Sequence, residues 1–362
     1  MIKNLSFNTS ACLMGLAALL LMSGCAPTKY VMRLDPDSGA TSTARVWPAA
    51  PETPRYRSIG QLKGDENFVL DETDLNTRDK VTKLFYWLVG LVGMDEKVML
   101  RRPQSGMVDA AGRILVTDAG RVLVFDQAQG KLQVWDRAFD NTPFITPVGI
   151  ALGGDGQILV ADSELGRVFR LDRDGKPLGD FGKDLLQRPT GMARDAQRGR
   201  VYVCDTIAHN VKVFDDSGKW LQTIGQRGDG DKQGDLNFPT HIALADGKLY
   251  VSDTMNARVQ IFDADGAPVG SLGQRGLYVG NLVRPKGVAL DDEGNLYVAE
   301  SNHDYLLMFN RSGQFLMPLG GTGQEPGKFQ QPAGIWSDRQ GRIYVADMLN
   351  RRVVIFQFLG GA

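Results

Sequence analysis

Three histidines, four basic residues beside recurring prolines, and six recurring acids are the side chains of this sequence best suited to chemistry. His209, His241 and His303 lie in separate stretches, and three imidazoles brought together would hold zinc. Arg102, Arg188 and Arg284 each directly precede a proline, and Lys286 directly follows the proline after Arg284. Gathered at one opening, they would form a site for a carboxylate or another anion. Asp118, Asp162, Asp205, Asp253, Glu300 and Asp347 recur at similar intervals, as a ring of metal ligands would. An arginine follows four of them, in the pairs Asp118/Arg121, Asp162/Arg167, Asp253/Arg258 and Asp347/Arg352. A carboxylate paired in this way within its own copy is a structural device rather than a metal ligand. Cys204 is the lone cysteine of the chain body, in a slot filled elsewhere by Thr117, Ala161, Ser252, Ala299 and Ala346. That makes it a small residue in a small space, not a nucleophile.

A repeat positions these residues. Pro103, Pro147, Pro189, Pro239, Pro285 and Pro332 are separated by 42 to 50 residues. Each opens a short apolar run, followed by a turn and a run such as Leu249-Tyr250-Val251-Ser252-Asp253 or Ile343-Tyr344-Val345-Ala346-Asp347. A third run follows, such as Arg258-Val259-Gln260-Ile261-Phe262. Short alternating runs bounded by glycine turns read as β-strands. Four such strands at a period of about 45 residues are the mark of a propeller blade. The sixth copy stops at Phe358-Leu359-Gly360, one strand short. Fourth strands elsewhere end in Phe181-Gly182, Ile224-Gly225, Leu272-Gly273 and Leu319-Gly320, and the same ending occurs upstream as Ile59-Gly60. Tyr56–Gly60 is therefore expected to complete the last blade, closing the ring and removing its open edge.

The consensus Pro-x-Gly-[Ile/Val]-Ala … Gly-x-[Leu/Ile]-Tyr-Val-[Ala/Ser]-Asp-x-x-Asn-x-Arg-Val-x-[Val/Ile]-Phe resembles the NHL repeat, in six copies over about residues 102–362. Copy one departs with Ser105 in the glycine slot, and copy five with Glu300 and Tyr305 in the Asp and Arg positions. The resemblance implies an all-β, six-bladed β-propeller. Amidating lyases related to NHL proteins use histidines from several blades near the repeat proline. Only His241 occupies that region here, while His209 and His303 fall in loops between second and third strands. The calcium-site signatures of six-bladed lactonases are not apparent. No cofactor is expected, and the three histidines are the one metal candidate.

Residues 1–24 read as a secretion signal, with Lys3, an apolar run from Ala11 to Leu21, and Met22-Ser23-Gly24 ahead of Cys25. The run is shorter than the roughly 20 residues that span a bilayer. Its ending resembles the bacterial lipobox, an apolar residue and two small ones before cysteine. In such lipoproteins the thiol is acylated, with palmitate for example, the chain is cut before the cysteine, and the new amine is acylated too. Several acyl chains anchor where one does not. Ala26, in place of Asp, resembles lipoproteins sorted to an outer membrane. Residues 25–54, with Pro27, Pro36, Pro48, Pro51 and Pro54, read as a tether without a core. The propeller is expected over 55–362.

One insertion, 69–101, interrupts the strand pattern. Asn76 or Thr77 can cap a helix carrying Val81, Leu84, Phe85, Trp87, Leu88, Leu91 and Val92. The helix either packs on the propeller and seals the seam at blade 6, or presents Phe85, Trp87 and Leu88 on a candidate binding face with Arg102, Arg188, His241, Arg284, Lys286 and His303. The net charge of −1 falls to −2 once Lys3 leaves with the signal, which argues against nucleic-acid binding. The expected function is an envelope-anchored binding or assembly module that recognises a protein or peptide. The alternative is a metal-dependent lyase or hydrolase at the channel mouth. Replacing Cys25 by Ser is expected to move the protein from the membrane to the soluble periplasmic fraction. Retention on membranes after a high-salt wash would show that something other than acylation holds it.

Overall fold

The second strands Ile114–Asp118 and Leu296–Glu300 are buried at every position, which a sheet with one solvated face does not allow. Their sheets are covered on both sides because each is stacked between two neighbours. A computed structural model describes residues 30–34, 45–71 and 96–360. Among them, six antiparallel sheets follow one another as blades, spanning 105–135, 147–181, 189–224, 239–272, 285–320 and 332–358. In the first five blades the four strands lie side by side in chain order. The fourth strands lie at the blade edges and alternate, as in Trp220–Ile224, where only Ile224 is buried.

First strands of successive blades neighbour one another all the way round, from blade 1 to blade 6 and back, so they line the axis. In blades 2 to 6 each of them bulges just after its proline. The bulge swings the Pro-x-Gly segment out of its own ladder towards the next blade. This explains the glycine of the motif: a β-carbon at Gly149 would run into the Thr190 carbonyl oxygen, and one at Gly287 into that of Ala333. Six apolar cores fill the six gaps between adjacent blades. One example between blades 2 and 3 contains Leu159, Phe181, Val203 and Phe214.

The ring closes as the repeat ending implies. Tyr56–Leu62 pairs antiparallel with Arg352–Phe358 as the fourth strand of blade 6, two residues longer than expected. Tyr56 Oη lies 2.8 Å from Tyr297 Oη, which donates to Asp291 Oδ2 at 2.7 Å, tying the closing strand to blade 5. Tyr56 and Leu62 are buried in the cores on either side of blade 6.

The reading of 25–54 as a tether without packing does not hold for its described parts. Val46–Trp47 adds a fifth strand to blade 6, with the Trp47 ring 5.4 Å from that of Phe356. Tyr30–Met32 pairs with Phe68–Leu70, Met32 and Leu34 pack on the core between blades 6 and 1, and the Leu34 carbonyl accepts from the Gln61 N–H. A few apolar anchors outweigh the proline-rich composition around them. Cys25 and the expected helix with Phe85, Trp87 and Leu88 lie outside the described residues.

Starting the chain at residue 63 removes the closing strand and leaves one edge of Arg352–Phe358 without a partner. Each buried group so orphaned costs about 1–3 kcal/mol, so the melting temperature is expected to drop sharply. Starting it at residue 30 is expected to leave the melting temperature unchanged. Equal melting temperatures for the two truncations would show that closure does not stabilise the ring.

Candidate functional site

The six recurring acids all sit at one end of the ring and are fully buried. In four blades the carboxylate accepts the backbone N–H groups of the two residues ahead of the repeat proline. Asp118 holds Arg101 and Arg102, Asp162 holds Ile145 and Thr146, Asp205 holds Gln187 and Arg188, and Glu300 holds Val283 and Arg284. The acid therefore fixes the link from the preceding blade. Arginine pairing is a second layer: Arg121, Arg258 and Arg352 reach Asp118, Asp253 and Asp347 at 3.1, 2.8 and 2.8 Å. The expected pair Asp162/Arg167 is not made. Asp162 already accepts four backbone N–H groups, those of Ile145, Thr146, Glu164 and Leu165, and Arg167 turns to Asp180 at 3.3 Å. The residue after the acid bonds forward to the next blade. Ser163, Thr206 and Thr254 donate to the carbonyls of Pro189, Pro239 and Pro285 at 2.6, 2.8 and 2.8 Å.

Blades 4 and 6 vary this scheme. Phe238 and Gln331, just before their prolines, have φ of 51° and 53°, a left-handed conformation uncommon for residues other than glycine. Each N–H is turned away from the acid to a side chain of the preceding blade, Phe238 to His209 Nδ1 at 3.2 Å and Gln331 to Asp304 Oδ1 at 2.7 Å. His209 and Asp304 are the fourth residues after Asp205 and Glu300, so they are equivalent. His209 is thus a neutral hydrogen-bond acceptor that ties blade 3 to blade 4. The signal for this role, an equivalent acid in copy five, is present in the repeat but visible only with the left-handed residues in hand.

The three histidines do not come together. His209 is buried against Phe238, His303 is half-buried in the blade 5 turn, and His241 sits at the start of the blade 4 inner strand. Among the described residues, no group of three His, Cys, Asp or Glu side chains could hold a metal ion. His241 takes the slot that is glycine in four blades. It is 9% exposed, and neither ring nitrogen has a hydrogen-bond partner. Burial, with the Lys286 charge beside it, pushes its pKa down to about 3. It lines an axial channel of about 470 Å³, as does Trp336, whose indole N–H is also unpartnered. Cys204 is fully buried, and burial pushes its thiol up, in keeping with a packing role.

The basic residues do share a face. Arg102, Arg188 and Arg284 are exposed at the acid-bearing end, and none of them has a carboxylate partner among the described residues. Lys286, half-buried at the mouth, has its pKa lowered by burial and by repulsion from Arg102 and Arg284. Apolar side chains missed in the sequence reading surround them. Ile145, Leu185, Ile207, Phe238, Met255 and Leu349 are 39 to 49% exposed, and Leu277 and Tyr278 on the link into blade 5 are 79 and 81% exposed.

With this geometry in place, comparison with known proteins gives a consistent answer. The NHL repeat model matches residues 186–214, mostly blade 3, and a 6-bladed beta-propeller family model matches residues 281–362. The fold is a six-bladed β-propeller, with one stretch that matches the NHL repeat. Similar solved propellers include a virginiamycin B lyase from Staphylococcus aureus (13% identity, 71% of this chain and 95% of that one, TM-score 0.53). A gluconolactonase from Xanthomonas campestris is similar at 18% identity over 73% and 90% of the chains, with TM-score 0.54. A Bacteroides thetaiotaomicron protein of unknown function matches at 15% identity over 71% and 70%, with TM-score 0.57. At these identities the likeness is one of fold.

The propeller holds His241 and His209 neutral, both with pKa values below the ordinary 6.5, chiefly through burial. A depressed histidine contributes stability fully above its unfolded value, and this is lost as pH falls through 6.5 towards the folded value. The urea midpoint is expected to drop from about pH 7.5 to about 5.5, with a slope approaching about 1.4 kcal/mol per unit. His241→Gly, which restores the glycine of the other blades, is expected to flatten that slope. An unchanged profile in this variant would remove His241 as its source.

Proposed function

We propose that this propeller is a non-enzymatic docking module of the bacterial envelope, anchored through Cys25 and recognising a protein or peptide partner through its acid-bearing face. The observation that carries this reading is the make-up of that face: exposed Ile207, Phe238, Met255 and Leu349 around Arg102, Arg188 and Arg284, which have no carboxylate partner among the described residues. Apolar side chains displayed together on a rigid scaffold form a partner surface, and arginines are prominent among residues that carry binding energy. The lipobox resemblance supports the anchor, and no helix of the described residues is long and apolar enough to cross a membrane. The outer membrane is the proposed location, on the strength of Ala26.

The alternative, a metal-dependent lyase or hydrolase at the mouth, borrows from the names of two structural neighbours. It requires converging ligands, and His241 stands apart from the other two histidines. The docking reading is tested by cross-linking in intact envelopes. The double variant Ile207→Glu, Met255→Glu is expected to lose the cross-linked partners of the native protein while keeping its melting temperature. A folded variant with an unchanged cross-linking pattern would place the working surface elsewhere.

A further inference from the structure

Resting on that reading, the chemistry of the partner can be narrowed. Between blades 5 and 6 the mouth of the propeller opens into a recess of about 260 Å³, lined by Arg284, Lys286, Asn302, Gln331 and Leu349 among others. We propose that this recess is a carboxylate site that receives the free C-terminal end of a peptide partner.

Two observations point there. Lys286 lies among like charges, Arg102 and Arg284, with no hydrogen bond or ion pair to answer its ammonium among the described residues. Three cations around one opening repel one another until an anion sits between them. Asp304, the carboxylate in the lining, is already engaged, accepting from the Gln331 N–H at 2.7 Å and the Thr322 hydroxyl at 2.9 Å.

The size and lining favour a peptide end over a bare phosphate. The recess takes about one residue, and the Leu349 side chain on its wall, 45% exposed, offers contact to an apolar side chain next to the carboxylate. The backbone N–H groups of Val283 and Arg284, which would otherwise cradle a phosphate, are held by Glu300. A polyanion such as nucleic acid is disfavoured by the net charge of −1, and by the exposed Asp229 and Asp231 on the same face.

The test uses the full-length protein in detergent and three probes: N-acetyl-L-leucine, its amide N-acetyl-L-leucinamide, and inorganic phosphate. Lysine side-chain NMR signals are followed during each titration. The acid is expected to shift the Lys286 signal saturably, and the amide is expected not to. Lys286→Met and Arg284→Met are each expected to weaken the acid at least tenfold, while Lys286→Arg retains it and Lys248→Met, at an exposed cation on the opposite end of the ring, changes it less than twofold. Equal effects of acid and amide, no saturable shift up to about 50 mM, or tighter binding of phosphate than of the acid would each overturn the proposal. The outcome is independent of the docking test: the Ile207→Glu, Met255→Glu protein can lose its partners and still bind N-acetyl-L-leucine.

Discussion

The propeller depends on one repeated interaction, the buried carboxylate at the end of each second strand. A charged group out of water is costly unless hydrogen bonds meet it, and here the partners are backbone N–H groups of the link arriving from the previous blade. Burial of the acid and placement of the link are therefore one event. The link then delivers a proline, which has no N–H to lose, into the inner strand. The bulge that follows brings a glycine against the neighbouring blade. The hydroxyls of Ser163, Thr206 and Thr254 bond the next proline carbonyl and carry the contact forward.

Most of this architecture was legible in the residues. Proline spacing, the Tyr-Val-x-Asp runs and the matching endings at Ile59-Gly60 and Leu319-Gly320 gave six blades and the closing strand, because strand patterns and turn glycines are local. Side-chain choices among several partners were not legible. Arg167 had two acids within reach, and only the saturation of Asp162 by backbone sends it to Asp180. The Tyr30–Met32 and Val46–Trp47 segments were hidden by their proline-rich surroundings, since composition averages over a few anchoring residues. For the candidate face, the arginines and Lys286 could be read from their places beside the prolines. The apolar rim could not, because an isolated Ile207 or Met255 in a turn looks unremarkable until the ring sets them side by side.

Alternation gives the face its character. The residue before each proline is arginine in blades 1, 3 and 5, and Thr146, Phe238 and Gln331 in the others. Two of those three adopt the left-handed conformation and bond across to the previous blade. Arginines are thus spaced by a residue bound into the scaffold or bearing no charge. The exception to even spacing is Lys286, which adds a cation on one side only and makes the mouth lopsided towards blades 5 and 6.

Ring closure also sets an order of events. Arg352 and the Gln61 it contacts are 291 residues apart in the chain, so Tyr56–Leu62, made before any blade, is among the last strands to find its partner. At roughly 5–20 residues per second, that wait is on the order of tens of seconds. Until then Tyr56–Leu62 has no blade to join, and the finished ring is a late, non-local contact of the kind that slows folding. A chain built this way stays an open string of blades while it is made, and becomes a locked circle only once its last strand is complete.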